Sequence, residues 1–277
     1  MNPLIIILGV VVVFLAYQLY SIYTSVPTVA SNIYLGSDKS EVLPISSSYI
    51  TNPNVSTYTI GFWIYINTFS TGINEFIAFG NSTNNTHIVS DFITGSNNNI
   101  NLPTSDSYTS LTKTSPPKNV CTFSINQYKP IIYANISTYN STNNYLIESI
   151  PITTNLPIQT WTYVLVSVSS NAGNYADCYL NGKLLVSQQL KYIPYNIGST
   201  STITNKIENT FLFPTINPNC DINLTRISWI PYPIDPQTAW YYYNQGNGNP
   251  SGKGIMSSYH LEIDFTKDND VYEWKIF

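Results

Sequence analysis

An uncharged apolar run at the N-terminus constrains this chain more than any other feature. Leu4, Ile5, Ile6, Ile7, Leu8, Val10, Val11, Val12, Val13, Phe14 and Leu15 are interrupted only by Gly9, and no charged side chain occurs before Asp38. Extended through Tyr17 and Leu19, the run approaches the ~20 residues with which an α-helix crosses ~30 Å of hydrocarbon. Tyr17, Tyr20 and Tyr23 recur at three-residue spacing, which suits rings with polar tips at the headgroup level. A cleaved signal peptide would need a positive n-region and a small-residue cleavage site after Ala16, and neither is there. A core helix would need protein packed on every side of the run. The expectation is a single-pass anchor over residues 1–23. Its direction is not readable, because no Lys or Arg flanks the span. Residues 24–49, Ser/Thr/Val-rich with Pro27 and Pro44, read as a stalk or irregular lead-in.

Beyond the anchor the composition excludes several functions. Charged residues make up 9% of the 277 positions, against about 25% in typical soluble domains, while aromatics reach 14%. A net charge of −4 and the lack of any Lys/Arg stripe exclude a nucleic-acid protein driven by phosphate neutralisation. Two His and three scattered Cys offer almost no material for a zinc or iron site. The expectation is no cofactor and no nucleic-acid partner.

The body reads as strands. Residues 57–66 alternate Tyr58, Ile60, Phe62, Ile64 and Ile66 against Thr59, Gly61, Trp63 and Tyr65, a period-two pattern with one strongly apolar face. Residues 75–80, 128–139, 145–152 and 161–169 continue the strand character, and residues 94–101 and 104–118 read as turn-rich. Residues 175–180 lead into Asn181-Gly182, the dipeptide that favours a tight hairpin turn, with 183–188 returning. One helix is predicted near the C-terminal end: Asp235 to cap it, Pro236 at its first position, Gly246 to stop it. Beyond a Gly/Asn/Pro-rich hinge, residues 259–265 and 271–276 alternate as a terminal hairpin. Strands without intervening amphipathic helices make an all-β, two-sheet antiparallel sandwich.

The order of these landmarks resembles the laminin G-like, concanavalin A-like domains. Residues 58–66 with 76–80 are similar to that family's opening strand pair. Trp161-Thr-Tyr-Val-Leu-Val followed by Cys178-Tyr-Leu-Asn-Gly-Lys-Leu-Leu is similar to its "W.hvavt…lYvNGkl" passage, and residues 222–229 with the helix to its closing strand and turn. The resemblance covers residues 50–246 and implies a jelly roll there, with 247–277 as hinge and hairpin. The whole arrangement of anchor, Asn/Ile/Tyr-rich composition and jelly roll also resembles membrane-anchored structural proteins of large eukaryotic DNA viruses. That implies a place in a virion, at an inner membrane or capsid interface; without it, the cell surface or an endomembrane.

Catalytic signatures are scarce. Glu262-Ile263-Asp264 has the alternation of a glucanase carboxylate strand, but Thr266 and Lys267 stand where the further Glu belongs. Asp264, Asp268, Asp270 and Glu273 lack a calcium-loop pattern, and Asp91, Asp106, Asp177 and Asp221 are scattered. His87 and His260 have no partners at ligand spacing. No nucleophile elbow, phosphate loop or dinucleotide fingerprint occurs. Sequons begin at Asn54, Asn81, Asn84, Asn135, Asn140 and Asn223, as expected by composition alone in a chain with 33 Asn. Cys121, Cys178 and Cys220 allow three pairings, with Cys178–Cys220 preferred because both lie in the recognised core. The expectation is a non-enzymatic structural or interaction protein with a bilayer and neighbouring structural proteins as partners; the alternative is a membrane-anchored, lectin-like glycan binder.

Overall fold

Alternation in the first strong strand segment becomes β3 (Tyr58–Thr68), around which one sheet is built. The computed structural model describes residues 3–24, 28–31, 33–35, 50–52, 54–68, 74–80, 109–113, 117, 119–126, 129–140, 144–171, 173–196, 212–214, 221–247, 262–267 and 270–275. Within these, backbone alone is described for residues 3–5, 18–24, 33–35, 74–75, 109–113, 212–214, 262–267 and 270–275.

Sheet A runs in the order β1 (Thr28–Ala30), β14 (Asp221–Ile230), β3, β9 (Thr162–Ser169), β10 (Tyr175–Leu180), β11 (Lys183–Gln189), with β2 (Ile33–Leu35) also on β14. Sheet B runs β13 (Leu212–Pro214), β4 (Asn74–Gly80), β6 (Asn119–Ile125), β7 (Ile132–Tyr139), β8 (Tyr145–Thr153), β5 (Thr109–Lys113), with β12 (Ile193–Pro194) on β7. Every pairing is antiparallel. β15 (Glu262–Lys267) and β16 (Asp270–Lys275) form a two-stranded sheet of their own. The helices are α1 (Pro3–Thr24) and α2 (Pro236–Asn244).

The two large sheets face each other across one core. Ile60, Phe62 and Ile64 of β3 and Val164 and Val166 of β9 meet Phe79, Phe123 and Ile136 from sheet B, all buried. Rings are ordered there: Tyr58 stacks on Trp229 at 4.8 Å, and Phe62 meets Phe123 edge-on at 4.8 Å. The Tyr58 hydroxyl crosses between the sheets and donates to the Val120 carbonyl at 3.3 Å. Among the described residues one acid sits in this interior. Glu148 is fully buried on β8, where its Oε1 accepts from Thr138 Oγ1 at 2.7 Å. Both its carboxylate oxygens also accept from the Lys191 backbone N–H, at 3.1 and 3.0 Å. That carboxylate pins the chain as it leaves β11 toward β12.

Three expectations change here. Part of the segment read as stalk is sheet: β1 and β2 pair with β14, and Val29 and Ala30 pack on the core. Part of the stretch read as turn-rich is β5, paired along β8. The expected Cys178–Cys220 bridge is not formed: Cys178 is a free thiol buried in the core, and Cys121 is buried there from the other sheet. Cys220 lies outside the described residues.

Candidate interaction surfaces

Among the described residues the acids do not gather. Asp177 accepts from Ser187 across the β10–β11 pair, and Asp221 accepts from Asn67 Nδ2 at 3.0 Å, so each serves a local bond. Glu262 and Asp264 lie on β15, where the register sets Glu262 opposite Lys275 and Asp264 opposite Glu273. Asp91, Asp106, Asp268, His87 and His260 lie outside the described residues. Among the described residues no group of three His, Cys, Asp or Glu side chains is placed to hold a metal ion.

α1 has the extent the apolar run predicts, 22 residues from Pro3 to Thr24. Its described side chains, residues 6–17, are all exposed, including Ile7, Leu8, Val13 and Phe14. They occupy every side of the helix, so among the described residues no protein surface covers any face of that stretch. Among the described residues no helix is long and apolar enough to cross a membrane.

A second surface lies on the outer face of sheet A. Outward positions there would ordinarily meet water, but Trp63, Tyr163, Leu165 and Tyr179 are buried beneath α2 with Ile234, Ala239 and Tyr242. The connection from β14 is sewn down by hydroxyls. Thr59 Oγ1 donates to the Tyr232 carbonyl at 2.8 Å, and the Ile234 N–H donates to Ser167 Oγ at 2.9 Å. α2 starts as predicted: the Asp235 side chain accepts from the Thr238 N–H at 2.8 Å, with Pro236 following. Its far end is closed by Gly246 in the left-handed region, φ +71°. Arg226 Nη1 adds bonds to the Gln245 and Gly246 carbonyls at 2.9 and 3.0 Å, placing a cation on the negative end of the helix.

Of the aromatic run on α2, Tyr242 is buried and Tyr241 and Tyr243 are half-buried. The exposed ring of the helix is Trp240. Trp240 is 45% exposed, and Leu184 and Leu185 on edge strand β11 are 44% and 49% exposed. Tyr232 is exposed as well. Burial pushes the Tyr179 and Tyr242 hydroxyls up to about 12, so they stay neutral at physiological pH. This is a surface for uncharged contacts.

The third feature was not legible in the sequence. On the outer face of sheet B, cross-strand partners Thr122, Asn135 and Ser149 form a polar row that is buried. Asn135 Nδ2 donates to Thr122 Oγ1 at 3.2 Å and to Ser124 Oγ at 3.0 Å, while its Oδ1 accepts nothing. Asn119, fully buried, has no partner for either side-chain amide atom. The row is closed to solvent and so presents no open sugar site.

No protein-family model matches the chain, and no curated protein matches it in sequence. Among solved structures it is similar to the binding domain of Paraclostridial Mosquitocidal Protein 1, at 12% identity and a TM-score of 0.45 over 80% of this chain and 47% of that one. It is similar to the binding domain of botulinum neurotoxin DC, solved in complex with rat synaptotagmin II, at 14% identity and 0.42 over 77% and 42%. It is also similar to Trypanosoma rangeli sialidase, at 8% and 0.39 over 68% and 22%. The chain thus spans less than half the length of these structures.

Proposed function

We propose that the chain is a non-enzymatic interaction protein in which a single-pass anchor, residues 1–23, holds a concanavalin A-like jelly roll to a bilayer and lets it bind a neighbouring structural protein. The finer form of this reading is a minor structural protein of a large DNA virus particle, joining an inner membrane to a protein shell.

The observation that carries the proposal is α1 itself. Residues 6–17 expose apolar side chains on every side of a helix. Each would cost roughly 25 cal/mol per Å² in water, and among the described residues no protein surface relieves that cost. The 22-residue backbone helix rises ~33 Å, to be set against ~30 Å of hydrocarbon, and its residues 6–17, ~18 Å of that rise, are the part whose apolar side chains are described. The body also exposes the uncharged ring of Tyr232, which suits polar protein contacts made with little charge.

A lectin-like role is the second reading, favoured by the exposed rings of Trp240 and Tyr232, whose faces suit stacking on sugars. Native purification in mild detergent with cross-linking separates the two. The interaction reading expects a protein neighbour cross-linked to the body. Specific, saturable binding on a glycan array, lost in Trp240→Ala, with no protein neighbour, would replace it with the lectin reading.

A further inference from the structure

We infer that the C-terminal hairpin docks its apolar face on the uncovered platform of Trp240, Leu184 and Leu185, an intramolecular contact independent of whether the chain is anchored. The register of the hairpin sets Ile263 opposite Trp274 and Phe265 opposite Tyr272. Cross-strand partners share a face, so these four residues lie on one side. Glu262 with Lys275 and Asp264 with Glu273 lie on the other. A two-stranded sheet is marginal in water unless its apolar face is covered, and this one joins neither large sheet.

The platform is a single surface. Gly182, in the turn that opens β11, sits so close under α2 that a Cβ there would lie 3.0 Å from the Cα and the ring of Trp240. Leu184 follows two residues later and pairs with Tyr179, whose ring belongs to the cluster under α2. Leu185 falls where the β10–β11 register shifts, and is exposed beside it.

Chain length selects this occupant over others. α2 ends beside the platform at Asn244, and β15 begins at Glu262. The connecting residues 248–261 reach at most ~46 Å when extended, several times the ~13 Å length of the nine-residue α2. A tether of that size holds the hairpin at an effective concentration of roughly millimolar, well above that of a second copy in dilute solution.

Hydrogen exchange on the full chain in detergent tests the inference reciprocally. Phe265→Ser combined with Trp274→Ser should speed exchange of β11 and α2 amides by about tenfold while leaving β3 and β9 unchanged. Trp240→Ser should in turn speed exchange of the β15 and β16 amides. Exchange changes confined to the substituted element in both variants would overturn it. So would wild-type protection of β11 that disappears on dilution, since the hairpin would then come from a second copy.

Discussion

Asn181 and Tyr163 hold each other by reciprocal hydrogen bonds: the Asn181 N–H donates to the Tyr163 carbonyl at 2.8 Å, and the Tyr163 N–H donates to Asn181 Oδ1 at 2.9 Å. The β10–β11 turn is thereby fastened to β9, and its Gly182 is pressed against α2. Both turn residues adopt left-handed backbone angles, Asn181 at φ +49° and Gly182 at φ +74°. Gly182→Ala therefore meets strain from φ and a collision with the backbone of Trp240. It should destabilise the body by about 1–3 kcal/mol, and Asn181→Ala by about 1 kcal/mol. Thermal unfolding of the two variants checks both.

The cap on α2 makes a signed pH prediction. Hydrogen bonds from the Thr238 backbone N–H, above all, hold the Asp235 carboxyl below its ordinary value. A depressed carboxylate contributes stability above the unfolded-state pKa and loses it as pH falls through the folded-state value. Asp235→Ala should cost about 1 kcal/mol near neutral pH. The difference from wild type should shrink as pH falls from the ordinary carboxylate range through the lowered folded-state pKa. A difference that stays constant from neutral to acid pH would show that the carboxylate charge does not matter.

The buried amides on sheet B make an asymmetric pair. Asn119 spends no side-chain hydrogen bond, so Asn119→Leu removes an unsatisfied buried group and should raise stability by about 1 kcal/mol. Asn135→Leu deletes bonds to Thr122 and Ser124 and should lower it by a similar amount, about 1–2 kcal/mol. Denaturant midpoints of the two variants should move in opposite directions.

Burial also protects the thiols. Cys121 and Cys178 face the core from opposite sheets, and burial, aided by the charge of Asp177, pushes the Cys178 thiol well above its usual range. Mass spectrometry after alkylation should find both unmodified in the native chain and both modified in denaturant. Native modification of Cys178 would contradict this packing.

The elements legible in the sequence were those set by local chemistry. Asp235, Pro236 and Gly246 bound α2, and Asn181-Gly182 turns the hairpin, because each needs only its neighbours to act. The outer cluster was not legible. Alternation marks Thr59, Gly61 and Trp63 as the face opposite the core, and the chain that buries Trp63 there, at Ile234, Ala239 and Tyr242, lies about 170 residues later. Gly61 is there because the space for a side chain is taken: a Cβ would lie 2.6 Å from Tyr163 Oη. The role of Glu148 depends in the same way on a backbone N–H 43 residues away. Short strands β1 and β2 have no strong alternation of their own and exist by pairing with β14.

Membrane partition tests the central claim most directly. The full chain and a chain lacking residues 1–24 would be expressed with lipid vesicles and separated by flotation after alkaline carbonate washing. The account predicts that the full chain floats with the vesicles, while the shortened chain stays in the aqueous fraction with an unchanged β circular dichroism spectrum. A full chain that stays in the aqueous fraction, monodisperse without detergent, would contradict it.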